Sequence, residues 1–518
     1  MGRFYLGLDC STQSMSAVLI DVASTHVVYQ QSLKFSTDLS GYGVTNGFLP
    51  SNESGVVHAP PLMWVEGLDQ LLLWMQADDC PLEQVIAVAG SGQQHGSVYV
   101  NRSFSRTLKN CKPDVALDKQ LAGIFTRATA PIWMDSSTGR QCEDITDAFG
   151  GADKVNEATG SVAIERFTGA QIKKFVEQDP EAYAQTESVM LVSSFLASLF
   201  AGCHVGIDYT DASGMNVLDI RTRTWHPTSL AVCGEHLQEK LRPAIDPTRP
   251  VGEIADYFVK RYGFNSACKV LPWCGDNPSS LIGLGLVDEG MTAISLGTSD
   301  TCFGLMQRLP EHMSRWAHTF IAPTKDYMSL LCFRNGSLAR EAVRGYFNLS
   351  WDEFSTAIES TPPGNQGAMM LPWFDSEIVP KVNRPGVQRF TLDENDASGN
   401  CRAVVEGQMM SMRNHAEEAG LVPTSIRATG GASQNQAILQ IMANVFACPV
   451  DVLESSNSAA LGAALRAAQI VEQKPWGDVV ANFTRTRTGS RVEPDANACE
   501  IYERLRKTYA NRELNFCT

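Results

Sequence analysis

The sequence predicts an α/β protein of two large domains. Strand-like and helix-like segments alternate along most of its 518 residues, and that length is several times the ~150 residues of a common domain. One strand–turn–strand unit also occurs twice, in separate halves of the chain.

The first copy is Tyr5-Leu6-Gly7-Leu8-Asp9-Cys10-Ser11-Thr12-Gln13, followed by Ser16-Ala17-Val18-Leu19-Ile20. The second is Ala293-Ile294-Ser295-Leu296-Gly297-Thr298-Ser299-Asp300-Thr301, followed by Cys302-Phe303-Gly304-Leu305-Met306. Each is an apolar or β-branched strand, a turn of Gly, Ser, Thr and Asp, and a second strand. One hairpin alone is commonplace. Two in separate halves predict similar domains facing each other across a cleft, each offering turn amides and hydroxyls to one ligand.

Between and after the hairpins the elements follow in order. Ser36 to Pro61 contains Gly, Ser and Pro and reads as an extended surface excursion; Ser360 to Gly367 reads as another loop. Gly90-Ser91-Gly92-Gln93-Gln94-His95-Gly96 superficially looks like a dinucleotide loop. Its third glycine is displaced, and Ser97-Val98-Tyr99-Val100 continues as a strand rather than a helix, which excludes a Rossmann dehydrogenase. Lys269 to Pro272 is strand-like, and the Pro of Asp276-Asn277-Pro278 suits the first turn of a helix. Ser425 to Thr429 reads as a strand entering Gly430-Gly431-Ala432-Ser433. The helix that follows carries Ile438, Ile441, Met442, Val445 and Phe446 at three- and four-residue spacing. Such a strand–glycine–helix junction presents free N–H groups to an anion or nucleotide. Val450 to Glu454 reads as a strand, and Ser458 to Ile470 as an alanine-rich helix whose small residues, Gly462 among them, permit close packing on a sheet.

Composition removes several function classes. A net charge of −15 without a basic stripe argues against a nucleic-acid partner, although helix N-termini, backbone amides and Mg²⁺ can still hold a small phosphorylated ligand. No apolar run approaches the ~20 residues of a membrane span. The N-terminus passes at once into a strand, so a cytoplasmic protein is expected, and Leu6 stands where a myristoylation motif wants Ser or Thr. The 14 cysteines are scattered without C-x-x-C or zinc spacing. There is no G-x-x-x-x-G-K-[ST] loop, no H-R-D and D-F-G set, no G-x-S-x-G elbow and no H-E-x-x-H.

Seven segments together carry a family resemblance. They are Gly7 to Gln13, Ser91 to Ser97, Trp133-Met134-Asp135-Ser136-Ser137-Thr138, Glu165-Arg166-Phe167-Thr168-Gly169, Gly275-Asp276-Asn277-Pro278, Ser295 to Asp300 and Ala428 to Ser433. In this order the chain resembles the FGGY carbohydrate kinases, and within them the eukaryotic-type kinases of xylulose. The resemblance implies two ribonuclease-H-like (actin/hexokinase-like) domains flanking a catalytic cleft, with residues 1–272 as the N-terminal and 273–518 as the C-terminal domain. It implies ATP-dependent phosphorylation of D-xylulose by a monomer or homodimer. Ribulose, sedoheptulose or glycerol phosphorylation, or a non-catalytic sugar- or nucleotide-binding regulator, are the alternatives.

The same resemblance distributes the site. Asp9, Ser11 and Thr12 fall in the first phosphate turn and Gly297 and Thr298 in the second, while Gly430, Gly431, Ala432 and Asn435 lie against the nucleotide. Trp351 either borders the nucleotide or caps the core beside a loop. His95, Arg166, Asp276 and Asn277 form the sugar side; imidazole, guanidinium, carboxylate and amide together suit neighbouring hydroxyls. Asp276 is the expected general base, and Asp9 the expected Mg²⁺ carboxylate. Asp135 either contacts ligand or caps a turn at Ser136, since Met134 departs from the more polar residue usual in the family. Cys10 replaces a glycine usual in the first turn.

Overall fold

The computed structural model of the chain describes residues 2–453 and 457–517. The chain divides into two compact units. One comprises Met1–Gly285, Phe320–Asp326 and Ser456–Phe483; the other comprises Leu286–Thr319, Tyr327–Ser455 and Thr484–Thr518.

In the first unit, β1 (Phe4–Cys10), β2 (Ser14–Asp21), β3 (His26–Lys34), β4 (Val85–Gly92), β5 (Gly252–Glu253), β6 (Lys269–Val270) and β7 (Cys274–Gly275) form one mixed sheet. Its order is β3-β2-β1-β4-β6-β5, with β7 also paired to β4. The first three strands are antiparallel, whereas β4 runs parallel to β1 and β6 parallel to β4. Strand β1 is apolar on both faces because both faces are covered, the rule for strands inside an α/β sheet.

The second unit repeats the pattern. Strands β8 (Met291–Leu296), β9 (Asp300–Met306), β10 (Tyr327–Phe333), β11 (Ser425–Thr429) and β12 (Val450–Val452) lie in the order β10-β9-β8-β11-β12. Again the first three are antiparallel and the last two parallel to the first. The duplication inferred from two hairpins thus extends over a five-strand frame, the ribonuclease-H-like arrangement. Of the strand expected from Val450 to Glu454, Val450–Val452 is observed, and Glu454 lies outside the described residues.

The expected boundary between residues 272 and 273 is not where the units part. Cys274–Gly275 pair with Ser91–Gly92, and the Asp276–Gly283 helix packs on the Ser458–Glu472 helix, which returns to the first unit. Small residues make this contact possible. A Cβ at Gly462 would lie 1.8 Å from the Ser279 carbonyl oxygen, one at Gly283 1.8 Å from that of Ser458, and one at Gly7 2.0 Å from that of Ala460. Arg466, fully buried on the same helix, lies 3.6 Å from Asp208 and donates to the Pro272 carbonyl (3.1 Å).

Each unit has its own apolar core. That of the first includes Trp64, Phe195 and Trp273; that of the second is built largely from the Ala397–Glu418 and Gln436–Phe446 helices. The Ser36–Pro61 stretch is less of an excursion than expected, because Leu39 and Val44 are buried and His58–Ala59 pair with Ala130–Pro131.

Candidate active site

In the first unit, parallel pairing sets Asp9 opposite Ser91. The Ser91 hydroxyl donates to Asp9 Oδ1 (2.7 Å) and the Ser11 hydroxyl to Oδ2. Burial pushes the Asp9 carboxyl above its ordinary range, opposed by those two hydroxyls. Among the described residues no Lys, Arg or His pairs with it, so its charge lacks a protein counter-ion. Thr12 closes the turn by accepting from Trp133 Nε1 (2.8 Å). Cys10 is the last residue of β1, paired with Met15 and buried, so the side chain replacing a glycine fits ordinary strand geometry.

Asp276 is the first residue of its helix, and Gly275 is the N-cap. A Cβ at Gly275 would meet Gln94 Cγ at 2.4 Å, so only glycine lets β7 lie this close to the Gln93–His95 turn. Asp276 Oδ1 accepts from the Asn277 backbone N–H (2.8 Å) and from Asn277 Nδ2 (3.1 Å), and Nδ2 also donates to Gln94 Oε1 (2.9 Å). Burial, and then the Asp9 charge, push the Asp276 carboxyl up to about 7, against the Asn277 and Gln94 amides. Two carboxylates therefore share one locality, and the second is poised to titrate near neutrality.

His95 has a positive φ of 70° and is buried, its ring stacked on Phe167 with centroids 4.3 Å apart. The Gly214 carbonyl accepts from Nδ1 at 2.7 Å, which assigns the proton of the neutral ring to Nδ1 and makes Nε2 an acceptor. The Thr168 hydroxyl donates to the His95 carbonyl (3.0 Å), tying this turn to the segment that carries Arg166. Arg166 is half-buried in the turn before the Thr168–Gln178 helix. Gln94 Nε2 and Asp211 Oδ1 are buried without a partner among the described residues. Sequence alone does not single them out, because Gln94 meets Asn277 183 residues away and Asp211 meets the Asp276 charge only in the fold. Asp135 caps its turn, accepting from the Ser137 and Val57 backbone N–H groups (3.0 and 2.9 Å) and from Gln171 Nε2 (2.8 Å).

The second unit contains a cavity of about 690 Å³. Gly297 and Thr298 line it, as do Gly431, Ala432 and Asn435, with Trp351 on its wall. Gly430, with φ 84°, precedes the cavity-lining turn; a Cβ there would lie 2.5 Å from the Leu296 carbonyl oxygen. Asn435 caps the Gln436–Phe446 helix through Ile438 N–H (3.2 Å), and its Nδ2 donates to Ser355 Oγ (2.7 Å). Trp351 is 43% exposed with the Arg344 guanidinium 4.9 Å over its ring, and Phe354 rather than Trp351 enters the core. An indole, free helix-terminal amides and a glycine turn in one cavity suit a nucleotide: an aromatic face for the base, N–H donors for phosphates.

Family comparison agrees with both halves of this geometry. The N-terminal domain of the FGGY family of carbohydrate kinases matches residues 112–283 and its C-terminal domain residues 292–470. The chain belongs to the FGGY family of carbohydrate kinases. Xylulose kinase of Rattus norvegicus is 41% identical over 534 residues, covering 99% of this chain and 96% of the relative. Xylulose kinase 2 of Arabidopsis thaliana is 40% identical, covering 90% and 86%. Among solved structures, this FGGY kinase shares its fold with ligand-bound xylulose kinase of Lactobacillus acidophilus (TM-score 0.81, 19% identity, 100% and 99% covered). Gluconate kinase of the same organism matches as well (TM-score 0.81, 18%, 99% and 98%), as does Plasmodium falciparum glycerol kinase with ADP (TM-score 0.78, 16%, 99% and 98%). Likeness of fold at this level is shared by kinases named for three different substrates, so the choice of sugar rests on sequence identity and on the site.

Proposed function

We propose that this FGGY kinase transfers the γ-phosphoryl group of ATP to the terminal hydroxyl of D-xylulose, giving D-xylulose 5-phosphate and ADP. The observation that carries the reading is Asp276: a carboxylate at a helix start, beside a sugar-type donor and acceptor set, with its pKa raised to about 7. A general base works best when its pKa lies near the working pH.

His95 Nε2, Arg166, Asn277 and Gln94 Nε2, which has no partner among the described residues, would orient the ketose, satisfying its hydroxyls with acceptors and donors. Asp276 would take the proton of the terminal hydroxyl as that oxygen bonds to γ-phosphorus. The bond from γ-phosphorus to the bridging oxygen breaks, and its electron pair leaves on the β-phosphate of ADP. Trp351, Asn435 and the Gly431–Ala432 turn would hold the nucleoside end, and the Gly297–Thr298 amides the phosphates.

Asp9 suits Mg²⁺, being a buried carboxylate flanked by hydroxyls and lacking a protein counter-ion. Among the described residues no group of three His, Cys, Asp or Glu could hold a metal alone, which fits an ion that arrives with the phosphates and keeps several waters. When bound, Mg²⁺ neutralises charge developing on the phosphates. Fourteen free thiols suit a reducing compartment such as the cytoplasm, and no described helix is long and apolar enough to cross a membrane.

ATP consumption measured across D-xylulose, ribulose, sedoheptulose, gluconate and glycerol tests this reading. The highest kcat/KM is expected with D-xylulose; a higher value with any other acceptor overturns the substrate assignment, and no turnover with any overturns the kinase.

A further inference from the structure

The second phosphate turn is held by a buried ionic network, of which Arg340 also lines the cavity. Asp300, which opens β9 directly after Gly297-Thr298-Ser299, turns its carboxylate onto Arg340. Arg340 Nη1 donates to Oδ2 (2.8 Å) and Nη2 to Oδ1 (3.0 Å), a two-pronged pair with both side chains fully buried. The Gly297 N–H also acts on that carboxylate. Arg340 Nη1 reaches Gln408 Oε1 (2.9 Å), and Gln408 Nε2 donates to the Asn335 (2.5 Å) and Gly336 (2.8 Å) carbonyls. The 336–337 backbone closes the ring: Ser337 N–H donates to the Gly297 carbonyl (2.9 Å). A Cβ on Gly336 would stand 2.7 Å from the Thr298 oxygen, the Asp300 nitrogen and Asp300 Oδ1. The turn is therefore clamped on one side by backbone that admits no side chain, and on the other by a carboxylate fixed in a guanidinium fork.

Burying two charges for stability alone is poor chemistry, because an apolar pair of similar volume is commonly as stable or more so. What a two-pronged pair supplies is a single geometry. Amides that stabilise charge on a transferring group act only if they are already aimed. On the reading that the cavity takes ATP, we propose that Asp300 and Arg340, locked by Gln408, are a positioning pair that fixes the Gly297–Ser299 turn for the β- and γ-phosphates. The pair acts on turnover and does not contribute to holding the nucleoside end.

Two variants test the pair. Asp300→Asn with Arg340→Gln removes both charges while keeping hydrogen-bonding groups; Arg340→Lys keeps the charge, and with it the fold, but cannot form the fork. Turnover with ATP and D-xylulose, the KM for ATP, the Kd for AMP and the Tm are compared with the unaltered enzyme. A fall in kcat of about 10²-fold in the double variant and about tenfold in Arg340→Lys is expected, with the Kd for AMP within about twofold of parental. A kcat within about threefold of parental in both variants overturns the inference. Loss of AMP affinity in step with kcat also overturns it, because the pair would then be supporting the fold as a whole. An unaltered enzyme with no ATP-dependent turnover sinks the kinase reading itself, an outcome distinct from either.

Discussion

Asp276 carries opposing demands on a single side chain. With its pKa near 7, activity in kcat/KM should fall as pH drops through about 7, because protonation removes the base. Stability moves the other way. A carboxyl whose folded pKa lies above its unfolded value of 3.8 loses stability as pH rises between 3.8 and about 7, where the folded state holds the extra proton. Asp276→Asn keeps the shape and the amide contacts. It should lower turnover by roughly 10²–10⁴-fold with ATP binding retained, and at pH 8 it should melt higher than the parent. Near-parental turnover would remove Asp276 from the chemistry. On the sugar side, Arg166→Ala and His95→Asn should raise the KM for xylulose tenfold or more, since a hydrogen bond to a charged or buried group is worth roughly 1.5–3 kcal/mol. Asn is preferred to Ala at 95 because the ring is buried on Phe167, and truncation would add a cavity to the lost bond. Unchanged xylulose kinetics in both would exclude them from the pocket. The motif residues were legible because their types and order are local and family-specific. Ser91 beneath Asp9, the Gln94 amide and the Asp300–Arg340 pair were not, since each acquires its role from partners 82, 183 and 40 residues away.

At the scale of elements, both hairpins and the strand–glycine–helix junction were readable because alternation, tight turns and helical spacing are short-range signals. The alanine-rich helix was readable too, but not the surface it would meet. Gly462→Ala tests that surface: the intruding Cβ faces a backbone carbonyl, which cannot rotate away as a side chain can. Overpacking of this kind costs about 1–3 kcal/mol, so a clear drop in Tm is expected. The Asp276–Gly283 helix is the part displaced, and a shift of about 1 Å in a reacting group can cost 10²-fold, so kcat should fall with it. Parental Tm and kcat would show that the two helices can part without consequence. A second tie is ionic. His415 on the Ala397–Glu418 helix lies 2.9 Å from Glu513 and 3.3 Å from Glu418, and the Ser411 hydroxyl donates to Glu513 (2.7 Å). Burial opposes the imidazolium, but the two carboxylates outweigh it and raise His415 to about 9. Its stabilisation is complete below 6.5 and is lost as pH rises through about 9. Tm should decline by a few degrees over that window, and His415→Gln should flatten the slope; an unchanged slope would remove His415 as its source.

On the whole-molecule scale, the duplicated frame was inferable from two hairpins, yet the point where the units part was not. The sheet pairing of Cys274–Gly275 and the return of the Ser458–Glu472 helix are contacts of long sequence separation, invisible to any window along the chain. That return has a consequence for biosynthesis. Helix Ser458–Glu472 covers β1, so a nascent chain released from the ribosome tunnel as far as Gly285 still shows the bare face around Gly7. At roughly 5–20 residues per second, about 10–40 s of further translation separate Gly285 from the end of that helix. The N-terminal segment must wait for its lid, and the second unit's chain from Leu286 to Ser455 is synthesised during the delay. Residues 1–285 expressed alone should therefore be aggregation-prone, and a peptide spanning 457–483 added in trans should restore protease resistance. A soluble, protease-resistant 1–285 fragment without the peptide would show that the late helix seals a unit able to fold without it.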